Sequence, residues 1–267
     1  MFKHILSKRN KALLSELVRT DFKLRYQGSI LGYSWSLLNP LLMFVILYVV
    51  FVKFLKLGQG IPHFPIYLLV GIVVWNFFVE MTVQSATSIV GRGDLIRKIR
   101  IPRWMIVVSS SISALINLGL NLIVIVVFMF INKVGVLDTL PLVVLPLIEV
   151  YVFALGLSLL LSALFVKYRD VIYIWQVILQ AGFYLTPIIY PLSLITNVTF
   201  QKIIMINPMA QAIQGVRYAA ITHETATTSS VFGGGYYQLI PLAIVVFVFL
   251  TGLFYFKSQA KYFAENI

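Results

Sequence analysis

The chain has 267 residues, 60% hydrophobic and 11% charged, with 21 Lys and Arg against 9 Asp and Glu for a formal net charge of +12. An average soluble domain is about 45–50% apolar and about 25% charged, so an ordinary soluble enzyme is excluded, as is a disordered chain. Basic charge alone points to nucleic acid, but the uninterrupted apolar runs exclude that partner and place the chain in a membrane. Zero cysteines remove a disulfide framework and a thiolate metal site, and His4, His63 and His223 are too scattered for a His-rich one.

The first 34 residues precede any apolar run. Within them 11–27 reads KALLSELVRTDFKLRYQ, where Leu14, Leu17, Val18, Phe22 and Arg25 recur at helical spacing. Glu16, Arg19, Asp21 and Lys23 lie largely off that stripe. The pattern predicts an amphipathic interface helix, either anchored on the membrane surface or docked to a soluble partner. A helix that crosses a bilayer needs about 20 mostly apolar residues, and six stretches qualify: 35–52, 64–90, 105–131, 140–166, 171–191 and 238–256. The first is too long for the apolar core of a cleavable signal.

Between the second and third spans, GRGDLIRKIRIPRW (91–104) is cationic yet carries apolar residues at near-helical spacing. It predicts a short helix built from Leu95, Ile96, Arg97, Lys98, Ile99 and Arg100, stopped by Pro102, with Trp104 at the membrane interface. Such a helix fits a partner's groove or rests on headgroups. The tripeptide Arg92-Gly93-Asp94 is read as a chance match to an adhesion motif. Lys167-Tyr168-Arg169-Asp170 forms a tight hairpin between the fourth and fifth spans. The fifth span is the most polar and ends in a Pro187…Pro191 break. The long connection 192–237 is expected to fold into short helices dipping into the outer interface. Its Asn197-Val198-Thr199 matches the glycosylation pattern, read as coincidence.

Lys and Arg set the orientation. Sixteen fall in 1–34, 91–104, the 167–170 hairpin and the C-terminal tail, and five in the alternate loops. Both termini and the 91–104 loop are therefore expected in the cytoplasm, with 1–267 one membrane domain: a cytoplasmic N-terminus (1–34), a six-span region (35–257) and a tail (258–267).

No G-x-x-x-x-G-K-[ST], HExxH or GxSxG occurs, so neither a phosphate-cradling loop nor a hydrolytic site is read here. Glu80 and Glu149 are the intramembrane acids, and ionisable groups at that depth are candidates for function. Phe44, Tyr48 and Phe51 share one face of the first span, and Gln176, Gln180 and Phe183 one face of the fifth, where Tyr184 follows. Rings and amides on one face suit a path for hydroxylated rings, or they pack helices. Asn117 and Asn121, one turn apart, suit hydrogen bonding between helices.

Six segments carry a resemblance, in order along the chain: LGYSWSLLNP (31–40), IYLLVGIVVWNFF (66–78), KIRIPR (98–103), YRD (168–170), YLTPIIYP (184–191), and NPM (207–209) with Arg217. Together the sequence resembles the membrane subunits of ATP-binding-cassette exporters for polysaccharides and polyol phosphates. The resemblance implies a homodimer of six-span, all-α subunits above two copies of a separate nucleotide-binding ATPase, which would carry ATP and Mg²⁺. This chain would then hold no cofactor or metal and would not be an enzyme. The 11–27 segment becomes the interface helix, and 91–104 the coupling helix with Arg169 and Asp170 as a second contact. The 192–237 segment becomes re-entrant gate helices, and the first and fifth spans line the conduit. The expected cargo is a lipid-linked O-antigen-like polysaccharide on an undecaprenyl carrier, moved across a bacterial cytoplasmic membrane. Teichoic acid or capsule export is the neighbouring alternative. A membrane glycosyl- or phospho-transferase and a small lipid or drug exporter are the more distant ones.

Overall fold

Apolar length sets the elements of this protein, and polar or conformationally restricted residues end them. The computed structural model describes residues 8–25, 29, 31–56, 58, 60–98, 101–135 and 137–263. Its regular elements are all helices, with no strand among the described residues. Helix α1 (Lys8–Arg25) precedes α2 (Trp35–Leu47), which continues into a π-helical segment (Tyr48–Phe54). Then come α3 (Phe64–Gly91), the short α4 (Gly93–Lys98), α5 (Trp104–Ile131), α6 (Val144–Lys167) and α7 (Val171–Leu185). Three short helices follow, α8 (Val198–Ile206), α9 (Pro208–Ala220) and α10 (Thr228–Phe232), before α11 (Ile240–Gln259).

Among the described residues, five helical stretches are long and apolar enough to cross a membrane: Trp35–Phe54, Phe64–Gly91, Trp104–Ile131, Leu140–Lys167 and Tyr236–Tyr262. The expected fifth span is shorter than its apolar run. Helix α7 stops at Leu185 after 15 residues, and 186–191 is non-helical. The cause is Pro187, which cannot donate a helical hydrogen bond and pushes the preceding residue out of the helical region. Thr186 accordingly sits at φ −88°, ψ 138°.

Helix α3 is the hub, buried over most of its length against α5 and α6. Helices α6 and α11 cross with backbones nearly touching at Gly156 and Gly252. A Cβ on Gly252 would lie 2.0 Å from the Gly156 carbonyl oxygen, so only glycine fits the crossing. Helix α7 is peripheral. Its Gly182 accommodates Trp75 of α3, and Trp175 Nε1 donates to Thr82 Oγ1 at 3.1 Å.

Pro40 within α2 strands the carbonyl of Ser36, which would otherwise accept the missing N–H. Asn121 Nδ2 of α5 donates to that carbonyl at 3.3 Å, repairing the helix from its neighbour. Backbone polar groups in hydrocarbon must find such partners.

The 192–237 segment folds by local capping. Asn197 accepts from the Thr199 and Phe200 amides to start α8. Asn207 accepts from Met209 N to start α9, with Pro208 at the first helical position. Thr227 and Ser230 form a capping box on α10. Helix α9 is no surface loop: Met209, Ala212, Ile213 and Val216 belong to the same buried cluster as α3.

Candidate functional site

The two termini of the described chain, the 91–104 segment and the 168–170 turn gather at one end of the bundle, the basic end. There α1 lies along α5, with Leu17 buried, Leu14, Val18 and Phe22 half-buried, and Glu16, Arg19 and Lys23 exposed. The helix and its stripe are as expected, but the stripe is turned onto the chain's own α5. The side chain of Arg25 lies outside the described residues. Asp21, expected off the stripe, is drawn inward. It pairs with Arg92 and accepts from Ser109 Oγ at 3.2 Å, while Arg92 Nη1 donates to the same hydroxyl at 2.9 Å. Both charged side chains are mostly buried. A buried guanidinium requires a counter-charge, and this one ties α1 to the α3–α4 corner and to α5. Arg92, discounted as part of a chance tripeptide, is thus the centre of the platform.

Helix α4 is anchored rather than free. Ile96 packs against a cluster that includes Ile89, Ile106, Val166, Phe256 and Phe263. Leu95 is half-buried, and Arg97 and Lys98 point to solvent. Ile99 and Arg100 lie outside the described residues. Arg103 donates to the carbonyl of Ala260, so the C-terminal tail closes over the same corner. Arg169 and Asp170 are exposed at their turn, with Arg169 over the Phe165 ring at 5.3 Å.

The structure divides the aromatic and amide residues expected along a conduit. Phe44, 6% exposed, packs edge-on against Phe128 of α5 at 6.0 Å, and also contacts Tyr48. Tyr48 and Phe51 are half-buried against the core. On α7, Phe183 meets Trp75 at 6.2 Å, but Gln176, Gln180 and Tyr184 are exposed. They share their face with exposed Tyr173 and Val177. Helix α2 likewise leaves Leu42, Val45 and Ile46 uncovered, and the π-helical segment after it leaves Val49 uncovered. Helical spacing groups residues on a face; tertiary packing decides whether that face is covered.

The two acids occupy different environments. Glu149 of α6 accepts from Gln211 Nε2 of α9 at 3.2 Å, while its own Oε1 and Gln211 Oε1 are buried with no partner. They border an apolar cavity of about 700 Å³ between α6, α9 and α11. Glu80 of α3 accepts from Asn117 Nδ2 of α5 at 2.6 Å, in a polar cavity of about 520 Å³. The pair Asn117 and Asn121 therefore bonds across helices as their spacing suggests, one to α3 and the other to α2.

Arg217 is the residue whose role sequence reasoning missed, having counted it among external loop charges. It is 0% exposed. Its Nε donates to the Tyr67 carbonyl at 2.9 Å, Nη1 to the Pro187 carbonyl at 2.6 Å and to Gln214 Oε1 at 3.0 Å, and Nη2 to the Ile188 carbonyl at 2.8 Å. Its guanidinium lies 3.6 Å over the Tyr67 ring, whose hydroxyl donates to Gln214 Oε1 at 3.0 Å. Gly71 makes room for it: a Cβ there would sit 2.5 Å from Nη2. Asn207 Nδ2 adds a bond to Thr186 Oγ1 at 3.3 Å. Three segments separated in sequence, α3, the 187–188 turn and α9, thus meet at one cation, which supplies donors to the carbonyls beyond the broken end of α7. The signal available beforehand was co-occurrence: Tyr67, Gly71, Thr186, Pro187, Asn207 and Arg217 all sit in or beside the six segments singled out from the sequence.

The chain is similar to known proteins over most of its length. The ABC-2 type transporter family profile matches residues 12–221. The chain is 31% identical over 264 residues to the O-antigen export system permease protein RfbA of Myxococcus xanthus, covering 96% of each chain. It is 32% identical over 204 residues to a protein of the same name from Klebsiella pneumoniae, covering 75% of this chain and 77% of that one. A second Klebsiella pneumoniae protein of that name is 30% identical over 204 residues.

Proposed function

This chain belongs to the ABC-2 type transporter family, a multi-pass membrane family of transport permeases, and from that premise we propose that it exports a surface polysaccharide. It is the membrane subunit of an ATP-driven exporter, and its cargo is a lipid-linked polysaccharide of the O-antigen class on an undecaprenyl carrier. The complex is a homodimer of this chain with two separate ATPase subunits, which hold ATP and Mg²⁺. It sits in the bacterial cytoplasmic membrane with the basic end and both termini in the cytoplasm. Six crossings result if α7 and the buried 186–191 segment together make the fifth, with α8 and α9 as re-entrant gate helices.

The observation that carries this reading is the uncovered face of α7, with Gln176, Gln180 and Tyr184 among apolar neighbours, together with the uncovered apolar residues of α2. Those faces suit the wall of a path closed by a second copy. Rings and amides bind a moving polymer weakly and repeatedly, which a conduit requires. At the basic end, Leu95, Ile96, Arg97, Lys98, Arg169 and Asp170, together with Ile99 and Arg100, form the surface the ATPase drives. The anchoring of Ile96 and the Asp21–Arg92 pair make that surface rigid enough to pass on a push. The likeness to O-antigen export permeases supports the cargo class.

The test is complementation. A host deleted for its own O-antigen permease receives this chain with its cognate ATPase, and surface polysaccharide is read by antibody on intact cells. Restored surface labelling is expected. Lipid-linked polysaccharide that accumulates inside despite both subunits overturns the reading.

A further inference from the structure

The cavity of about 520 Å³ lies between the start of α2, the Val73–Thr87 stretch of α3 and the middle of α5. At 1.5 Å per residue, Thr87 is about 6 Å and Glu80 about 16 Å from the basic end of α3. At the same rise Asn76 is about 22 Å and Val73 about 27 Å from that end, so the cavity runs from near the basic end to beyond the middle of α3. Its volume falls within the roughly 300–1,000 Å³ range of small-molecule sites. Eight of its fifteen lining residues are polar: Ser36, Thr87, Glu80, Gln84 and four asparagines. Of these, the amides of Asn39 and Asn76 and the Oδ1 of Asn117 have no partner among the described residues, and an acyl chain would leave them so at a cost.

Three features specify an occupant. At the bottom, Asn117 is 3% exposed; its Nδ2 is committed to Glu80, and its Oδ1 is buried with no hydrogen-bond partner. That oxygen wants a donor. Along the wall, the amides of Asn39 and Asn76 have no protein partner among the described residues, and each offers donors and an acceptor in one plane. At the mouth, Trp35 is 44% exposed and presents an apolar ring. Planar amides and a carboxylate around an aromatic ring match a molecule with vicinal hydroxyls on one edge and C–H groups on its face. Among the described residues none that lines it is basic, which disfavours a phosphate or pyrophosphate. Glu80 disfavours acidic rings.

We propose that this cavity binds one neutral glycosyl unit of the exported substrate, resting on the exporter reading above for the identity of the cargo. The hydroxyls of the ring donate to Asn117 Oδ1 and Glu80 and exchange hydrogen bonds with Asn39 and Asn76. Its apolar face stacks on Trp35, and the diphosphate of the carrier stays outside. The cavity is separate from the exposed face of α7, and its Thr87 end reaches toward the basic end, where the first sugar is met before translocation.

The experiment uses the full-length protein in lipid nanodiscs without the ATPase. Saturation-transfer NMR follows methyl glycosides of mannose, galactose, glucose and N-acetylglucosamine, with methyl glucuronoside as the acidic counterpart. At least one neutral glycoside is expected to receive saturation, and the glucuronoside none. Asn76→Leu and Trp35→Ala should each weaken binding about tenfold, the scale of one lost buried hydrogen-bond partner, and Trp35→Phe should retain it. Asn76 and Trp35 have no hydrogen-bonded partner to strand among the described residues, so the melting temperature should hold. No transfer from any neutral glycoside, or unchanged binding in both variants, overturns the proposal. Equal binding of the glucuronoside overturns its charge selectivity. If the wild-type chain restores surface polysaccharide and the two variants do so at the same rate without binding glycosides, the cavity proposal alone falls. If glycosides bind but no export is restored, the exporter reading falls instead.

Discussion

Arg217 offers the sharpest test of how the broken end of α7 is held. In Arg217→Met the side chain keeps its apolar bulk but donates nothing. The carbonyls of Pro187 and Ile188 have no other partner among the described residues and are left stranded, at about 1–3 kcal/mol each. The desolvated contact with the Tyr67 ring contributes about 2 kcal/mol more. Relief from burying a cation offsets part of this, leaving a loss of roughly 3–5 kcal/mol. At about 2–4 °C per kcal/mol, the melting temperature falls by about 10 °C. Lysine at 217 keeps the charge but cannot reach acceptors on α3, α9 and the 187–188 turn at once, so its loss is intermediate. Gly71→Ala supplies the second arm of the cycle, because the new Cβ would lie 2.5 Å from Nη2 and push the guanidinium off its acceptors. If Arg217 is the clamp, Gly71→Ala is costly in the native background and nearly free in Arg217→Met, a coupling beyond the few tenths of a kcal/mol expected of independent sites. Thermal unfolding in detergent, followed by size-exclusion fluorescence, measures all four proteins. Additive losses, or an Arg217→Met protein that melts like the parent, would refute the reasoning.

Three further predictions follow the same logic. Asn121→Leu removes the donor to the Ser36 carbonyl and should cost about 1 kcal/mol; the cost should shrink in Pro40→Ala, which restores the missing N–H, and equal cost in both backgrounds would remove the repair role. Asp21→Ala leaves Arg92 buried without its counter-charge and should lower ATPase activity of the assembled complex severalfold, whereas Asp21→Ala with Arg92→Ala should be milder than either alone. A double variant as impaired as the worse single would deny the pairing a role. Cysteines can be placed freely because the chain has none: Pro62→Cys and Ser229→Cys should react with an impermeant reagent on intact cells and Lys98→Cys should not, and the opposite pattern would reverse the orientation read from the basic residues.

Much of this protein is readable from local pattern. The long spans come within a few residues of their apolar runs because a bilayer rewards uninterrupted apolar length, a property carried by contiguous residues. The end of α7 is written in Pro187, and the starts of α8 and α9 in Asn197 and Asn207, because capping and proline geometry act within a turn. The amphipathic stripe of α1 is likewise a matter of spacing. Partners across the fold are another matter. Phe44 and Gln180 look alike as members of striped faces, yet one is buried against Phe128 and the other is exposed. Asp21 and Arg92 stand 71 positions apart and meet through Ser109, and Arg217 looks like a loop charge until α3 and the 187–188 turn close around it. What the sequence determined by itself was where the chain crosses hydrophobic thickness and where each helix must stop, since those depend on neighbours in the chain. Which charge is buried, which stripe is covered and which asparagine faces a cavity were decided only in the tertiary structure, because hydrogen bonds and packing join residues by distance in space.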